Sequence, residues 1–116
     1  MNHYYKSTLH LCIGYYFTSV EAPHTVQEII SIENRHTVLL SNSVNSISTE
    51  DLLPVPLNEK WIFELTEKIR CKEFYFLRLG NNNFIIDLLL SNDTQIHCKI
   101  KYVHELQHIV SLSHFT

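Results

Sequence analysis

The sequence predicts an α+β chain: a small N-terminal antiparallel β-sheet or barrel, then a helix, a three-stranded antiparallel meander and a C-terminal helix. Three observations predict it. Short β-branched and aromatic runs separated by turn-formers fill the first half. At Asn58 the apolar period becomes helical. Beyond that helix, two apolar runs joined by Gly80-Asn81-Asn82-Asn83 and a third run precede a last amphipathic stretch.

Taken in order, LCIGYYFTSV, TVQEIISIE and HTVLLSN read as strands, divided by turn residues at Ala22-Pro23-His24 and Glu33-Asn34-Arg35. A shorter run, VNSIST, leads through Glu50-Asp51 into LLPVPL. There Pro54 and Pro56 exclude a helix or a central strand and favour an extended connector, because proline lacks the N–H that either would use. The next segment is helical from about Glu59 to about Arg70, since Trp61, Ile62, Leu65 and Ile69 recur on one face. Asn58 is placed to cap it, and Leu57 to staple onto Ile62. KEFYFLRL and FIIDLLLS then form a hairpin, with Asp87 expected to point outward. TQIHCKIK follows the turn Ser91-Asn92-Asp93-Thr94, and a helix from about Tyr102 to Leu112 closes the chain. Nothing in these 116 residues reads as a linker or a repeat, so a single domain is expected, with a β-rich half at about 10–56 and an α-β-β-β-α half at about 57–114.

Composition narrows the function classes. A net charge of −3 argues against generic nucleic-acid or membrane-surface binding. The excess is confined to the first half, where Lys6 and Arg35 face Glu21, Glu28, Glu33, Glu50 and Asp51. Three cysteines, Cys12, Cys71 and Cys98, without a C-x-x-C, suggest neither a disulfide framework nor a cysteine zinc site, and fit the cytoplasm. Neither a signal peptide nor a membrane span is expected.

One motif invites an enzymatic reading. His104-Glu105-x-x-His108 matches the zinc-hydrolase helix, in which two imidazoles one turn apart hold the metal and the glutamate acts as base; His114 falls where an extended form places a third ligand. Helical geometry opposes it. Advancing about 100° per residue puts Tyr102, Leu106, Ile109 and Ser113 opposite His104, and His108 about 40° from His104, so both imidazoles are expected to face solvent as polar surface groups. No metal and no cofactor are therefore expected; a zinc-dependent hydrolase is the first alternative. A nucleic-acid-binding accessory module is the second: Lys68, Arg70, Lys72, Arg78, Lys99 and Lys101 lie near Phe74, Tyr75 and Phe76, residue types that hold phosphates and stack bases. Cys71 is expected to be a passive surface thiol and Trp61 a core residue.

Ile13-Gly14, the segment PVPLNEKW from Pro54 to Trp61, and YVHELQ from Tyr102 to Gln107 occur together, in that order. The set resembles a family of small proteins common in Bacteroidota and in their phages and mobile elements. The family's usual helix has glutamine and asparagine where this chain has Glu105 and His108. Small size, the absence of a convincing catalytic set and this resemblance together suggest, by association, a non-enzymatic protein that works by protein–protein contact: an inhibitor of a host defence effector, most concretely an anti-CRISPR acting on an RNA-guided nuclease or its guide-RNA complex in the bacterial cytoplasm, with an RNA-targeting type VI effector foremost. The acidic residues Glu28, Glu33, Glu50 and Asp51 would oppose the basic channel of such a nuclease, with Tyr4, Tyr5, Tyr15 and Tyr16 as aromatic anchors.

Overall fold

The computed structural model describes residues 11–67 and 69–113. The chain divides into two compact units, Met1–Val55 and Pro56–Thr116. The expected α+β architecture is what the chain adopts: a five-stranded antiparallel sheet, a three-stranded antiparallel meander and two helices.

The first unit contains β1 (Tyr16–Ser19), β2 (Gln27–Asn34), β3 (Thr37–Leu40), β4 (Ile47–Ser48) and β5 (Leu52–Pro54), in the sheet order β4-β3-β2-β1-β5. Chain length forces this sheet to curl. β4 and β5 are its opposite edges, which a flat sheet would hold about 19 Å apart at four strand spacings. Only the 3₁₀ turn Thr49–Asp51 joins them, and three residues of 3₁₀ helix rise about 6 Å. β2 supplies the bend. It pairs with β1 through Gln27 and Glu28, then with β3 from Ile29 onward, with register breaks between Ile29 and Ser31 and between Ile32 and Asn34. Such irregularities add local twist and let one strand pair with β1 at its start and with β3 along the rest. Tyr15, Phe17, Ile29, Val38, Leu40 and Leu52 fill the interior. The expected connector around Pro54 is a short strand, and proline's restriction holds: β5 lies at the sheet edge.

The second unit contains α1 (Glu59–Thr66), β6 (Glu73–Gly80), β7 (Asn83–Leu89), β8 (Gln95–Ile100) and α2 (Val103–Leu112), its strands ordered β6-β7-β8. Asn58 caps α1 as expected, its side chain accepting from the Trp61 N–H at 2.9 Å. The helix ends at Thr66, short of Arg70. Thr66 turns its hydroxyl onto the Ile62 carbonyl, and the Ile69 N–H bonds Thr66 O at 3.2 Å, so the last turn tightens and closes. Trp61 is half-buried.

Both hairpin turns use the residues expected to tolerate positive φ: Asn82 at 62° and Asp93 at 69°. Along β7, Phe84, Ile86 and Leu88 are buried while Ile85, Asp87 and Leu89 alternate to the half-exposed face. Asp87 does point outward, and its carboxylate bonds His97 across the strand pair. Among the described residues no helix is long and apolar enough to cross a membrane.

Candidate functional site

The H-E-x-x-H residues lie on α2, and the structure departs here from the expected solvent-facing geometry. His104 is 0% exposed. With Val103, Leu106, Ile109 and Ser113 also buried, the covered arc of this helix spans more than half its circumference, so its first turn is enclosed rather than laid on a surface. The single apolar stripe that helical periodicity suggests is too narrow for a helix buried over so wide an arc along its length. The His104 ring stacks on Tyr102, centroids 6.0 Å apart and planes 13° from parallel. Burial lowers its pKa to about 4, because removing water disfavours the imidazolium. His108 is half-buried, and His114 lies outside the described residues.

Glu105 has a structural task. Its Oε1 accepts hydrogen bonds from the Lys101 and Tyr102 N–H groups, both at 3.0 Å. This satisfies backbone donors that the start of α2 leaves without helical partners, and places negative charge at the positive end of the helix dipole. Replacing Glu105 by alanine is expected to cost about 1 kcal/mol of unfolding free energy, and Glu105→Gln distinctly less because the amide oxygen still accepts. Urea titration of both variants checks this; an unchanged midpoint in Glu105→Ala would remove the cap assignment. Among the described residues, no three His, Cys, Asp or Glu side chains converge as metal ligands.

The expected basic and aromatic strip is split by the pleat. Phe74 and Phe76 turn inward, where Phe76 packs edge-on against Phe63 at 5.8 Å, while Tyr75 points out. Lys72 is paired with Asp93, and Arg78 lies 3.5 Å from Glu59. Lys68 lies outside the described residues. Burial pushes the Cys71 thiol up, away from the thiolate form a nucleophile needs.

Glu33, Glu50 and Asp51 lie near one end of the five-stranded sheet, while Glu28 sits at the start of β2 opposite Tyr16. Glu33, Glu50 and Asp51 are exposed and Glu28 is half-buried. The Thr49 N–H bonds His36 O at 2.8 Å, tying the 3₁₀ turn that carries Glu50 and Asp51 to the β2–β3 hairpin beside Glu33. Arg35 shares this end. Of the expected aromatic anchors, Tyr15 belongs to the core, because alternation along YYF sends Tyr15 and Phe17 inward, and Tyr16 is half-buried opposite Glu28. Burial, with the Cys12 thiol beside it, holds the Tyr15 phenol above its ordinary range. Tyr4 and Tyr5 lie outside the described residues.

The loop Ser41–Ser46 carries a feature the sequence conceals. Val44 at its tip is 95% exposed. The loop beneath it is organised: buried Gln27 accepts from the Asn42 N–H at 3.1 Å and the Ser43 hydroxyl at 3.3 Å. Ser41 is bonded to the Glu28 backbone in both directions, and Ser46 donates its hydroxyl to the Glu33 carboxylate. Glu28 and Glu33 thus hold the two ends of a polar loop that presents one apolar side chain, with Ile30 and Ile32 exposed on the same strand. A valine among serines and asparagines has no periodicity, so nothing in the sequence could have singled it out. Comparison of the chain with family models, with curated proteins and with solved structures finds no significant match.

Proposed function

We propose that this chain acts by binding a basic surface on another protein through the part of the five-stranded sheet and its turns that displays Glu33, Glu50, Asp51 and Val44, rather than by catalysis. The observation that carries the reading is the charge distribution. The five acidic and two basic residues of the first 55 account for the whole net charge of −3, while the second unit balances at seven of each sign. An apolar knob on an ordered loop, with the Glu33 carboxylate bonded to the loop's far end, suits a partner whose basic groups lie beside a small hydrophobic pocket.

The concrete version to test is inhibition of a host defence effector, most specifically a CRISPR effector nuclease of the RNA-targeting type VI class, whose guide and target channel is basic. Reversing Glu28, Glu33, Glu50 and Asp51 to lysine is expected to lower the association rate by roughly ten- to a thousandfold at low ionic strength, as loss of electrostatic steering does. Binding kinetics and target-RNA cleavage read this in parallel. Equal inhibition by the wild-type and reversed proteins would eliminate the acidic-surface mechanism. Wild-type protein without effect on the nuclease would eliminate that target.

A further inference from the structure

β6 is an open sheet edge of unusual composition for this chain. Among the described residues it pairs with β7 alone. Exposed strand edges are ready templates for another strand, and proteins ordinarily shorten, charge or interrupt them with proline. The other edges here follow that practice. β4 has two residues, β5 has three and ends at Pro54, and β8 carries Lys99. β6 runs eight residues as EFYFLRLG without proline or lysine, and its two charges, Glu73 and Arg78, cancel. Beyond Glu73, its outward side chains are apolar: Tyr75, Leu77 and Leu79 are 63%, 60% and 48% exposed. A solvated antiparallel face would alternate to polar residues at these positions.

From this edge we infer that β6 is a self-association surface, occupied by β6 of a second copy running antiparallel across a two-fold axis and joining two meanders into one six-stranded sheet. The strand's own sequence selects the occupant. Directly opposed residues in an antiparallel pair lie on the same face, so a two-fold pairing must centre on one residue of the strand or its neighbour across the pleat. Centred on Phe76, it sets Phe76 against the second copy's Phe76, Tyr75 against Leu77, Phe74 against Arg78 and Glu73 against Leu79. Aromatic and aliphatic pairs then meet along the strand, Arg78 lies against an aromatic ring, and no like charges oppose. Centring on Tyr75 would instead oppose Lys72 and Arg78, a repulsive pair, and centring on Leu77 sets Phe74 against Gly80, which offers it no side chain to pack on. An isologous match of this kind requires no second species. It stands on observations separate from the acidic surface of the first unit.

Sedimentation velocity of the full chain across a concentration series tests the inference. The wild type is expected to show a monomer–dimer equilibrium, and the variant carrying Leu77→Lys and Leu79→Lys, both on the exposed face, to dissociate at least tenfold more readily. A hydrogen-exchange series on the unaltered protein guards against a folding defect in the variant: amides of residues 73–80 should gain protection as concentration rises, while those of β8 should not. A wild type that stays monomeric up to roughly 1 mM, the weak limit of specific association, overturns the inference. So does a dimer indifferent to both lysines, or protection that appears on β8 instead.

Discussion

Between pH 6.5 and pH 4 the chain is expected to lose about 3 kcal/mol of stability through one side chain, His104. The imidazole is buried, and its pKa falls to about 4 in the folded state, against about 6.5 in an unfolded chain. Within that window the unfolded state holds one proton more than the folded state. Stability therefore rises with pH across it, by up to about 1.4 kcal/mol per pH unit, and is fully present above the unfolded value. Below pH 4 both states are protonated and this contribution is exhausted. Urea unfolding at a series of pH values measures the slope, and His104→Gln, which cannot ionise, isolates it from every other titrating group. A wild-type minus variant difference that stays flat from pH 7 to pH 4 would show that His104 is not enclosed as the structure has it. The result also bears on the H-E-x-x-H match. A zinc ligand competes with protons near its own pKa, whereas a ring packed on Tyr102 for structural reasons titrates with folding itself.

What the sequence disclosed and what it hid follow from the range of the forces involved. Local rules were legible. Asn58 announced the start of α1 because a cap needs only three residues of backbone beyond it. Asn82 and Asp93 marked the hairpin turns because positive φ is a property of single residues. Pro54 restricted its strand to an edge because it lacks a donor. Strand order was not legible in that way: β1 pairs with β5, about 35 residues further along the chain, and no local rule specifies such a partner. The burial of His104 was misread for a related reason. Helical periodicity assigns a face to each residue relative to its neighbours on the helix, but does not say how far the surrounding structure wraps around it. The candidate surface was half visible: the acidic bias of the first half could be counted. Val44 and the bonds from Gln27, Glu28 and Glu33 that organise its loop could not, since they join β2 to residues about 15 positions away.

The same dependence on the whole sheet sets the last expectation, that Phe17→Ala destabilises the first unit by about 3–5 kcal/mol, the usual range for removing a buried phenylalanine ring. Phe17 is fully buried on β1 and is paired with Gln27 of β2 on one side and Pro54 of β5 on the other. Its ring lies in the cluster formed by Ile29, Val38, Leu40 and Leu52, so truncation leaves a cavity beside every long strand of the sheet. A 55-residue unit has little reserve, since small domains bury a smaller share of their surface and total stabilities of 5–15 kcal/mol are typical even of larger ones. Phe17→Leu keeps most of the volume and should cost roughly 1–2 kcal/mol. Hydrogen exchange resolves the effect locally: amides of β1, β2 and β3 are expected to lose protection in Phe17→Ala and largely retain it in Phe17→Leu. Because Glu33, Glu50, Asp51 and Val44 are positioned by that sheet and its turns, partner binding should fall in the same order as the sheet's amide protection. If binding persisted in Phe17→Ala while those amides exchanged freely, the partner surface would have to lie elsewhere.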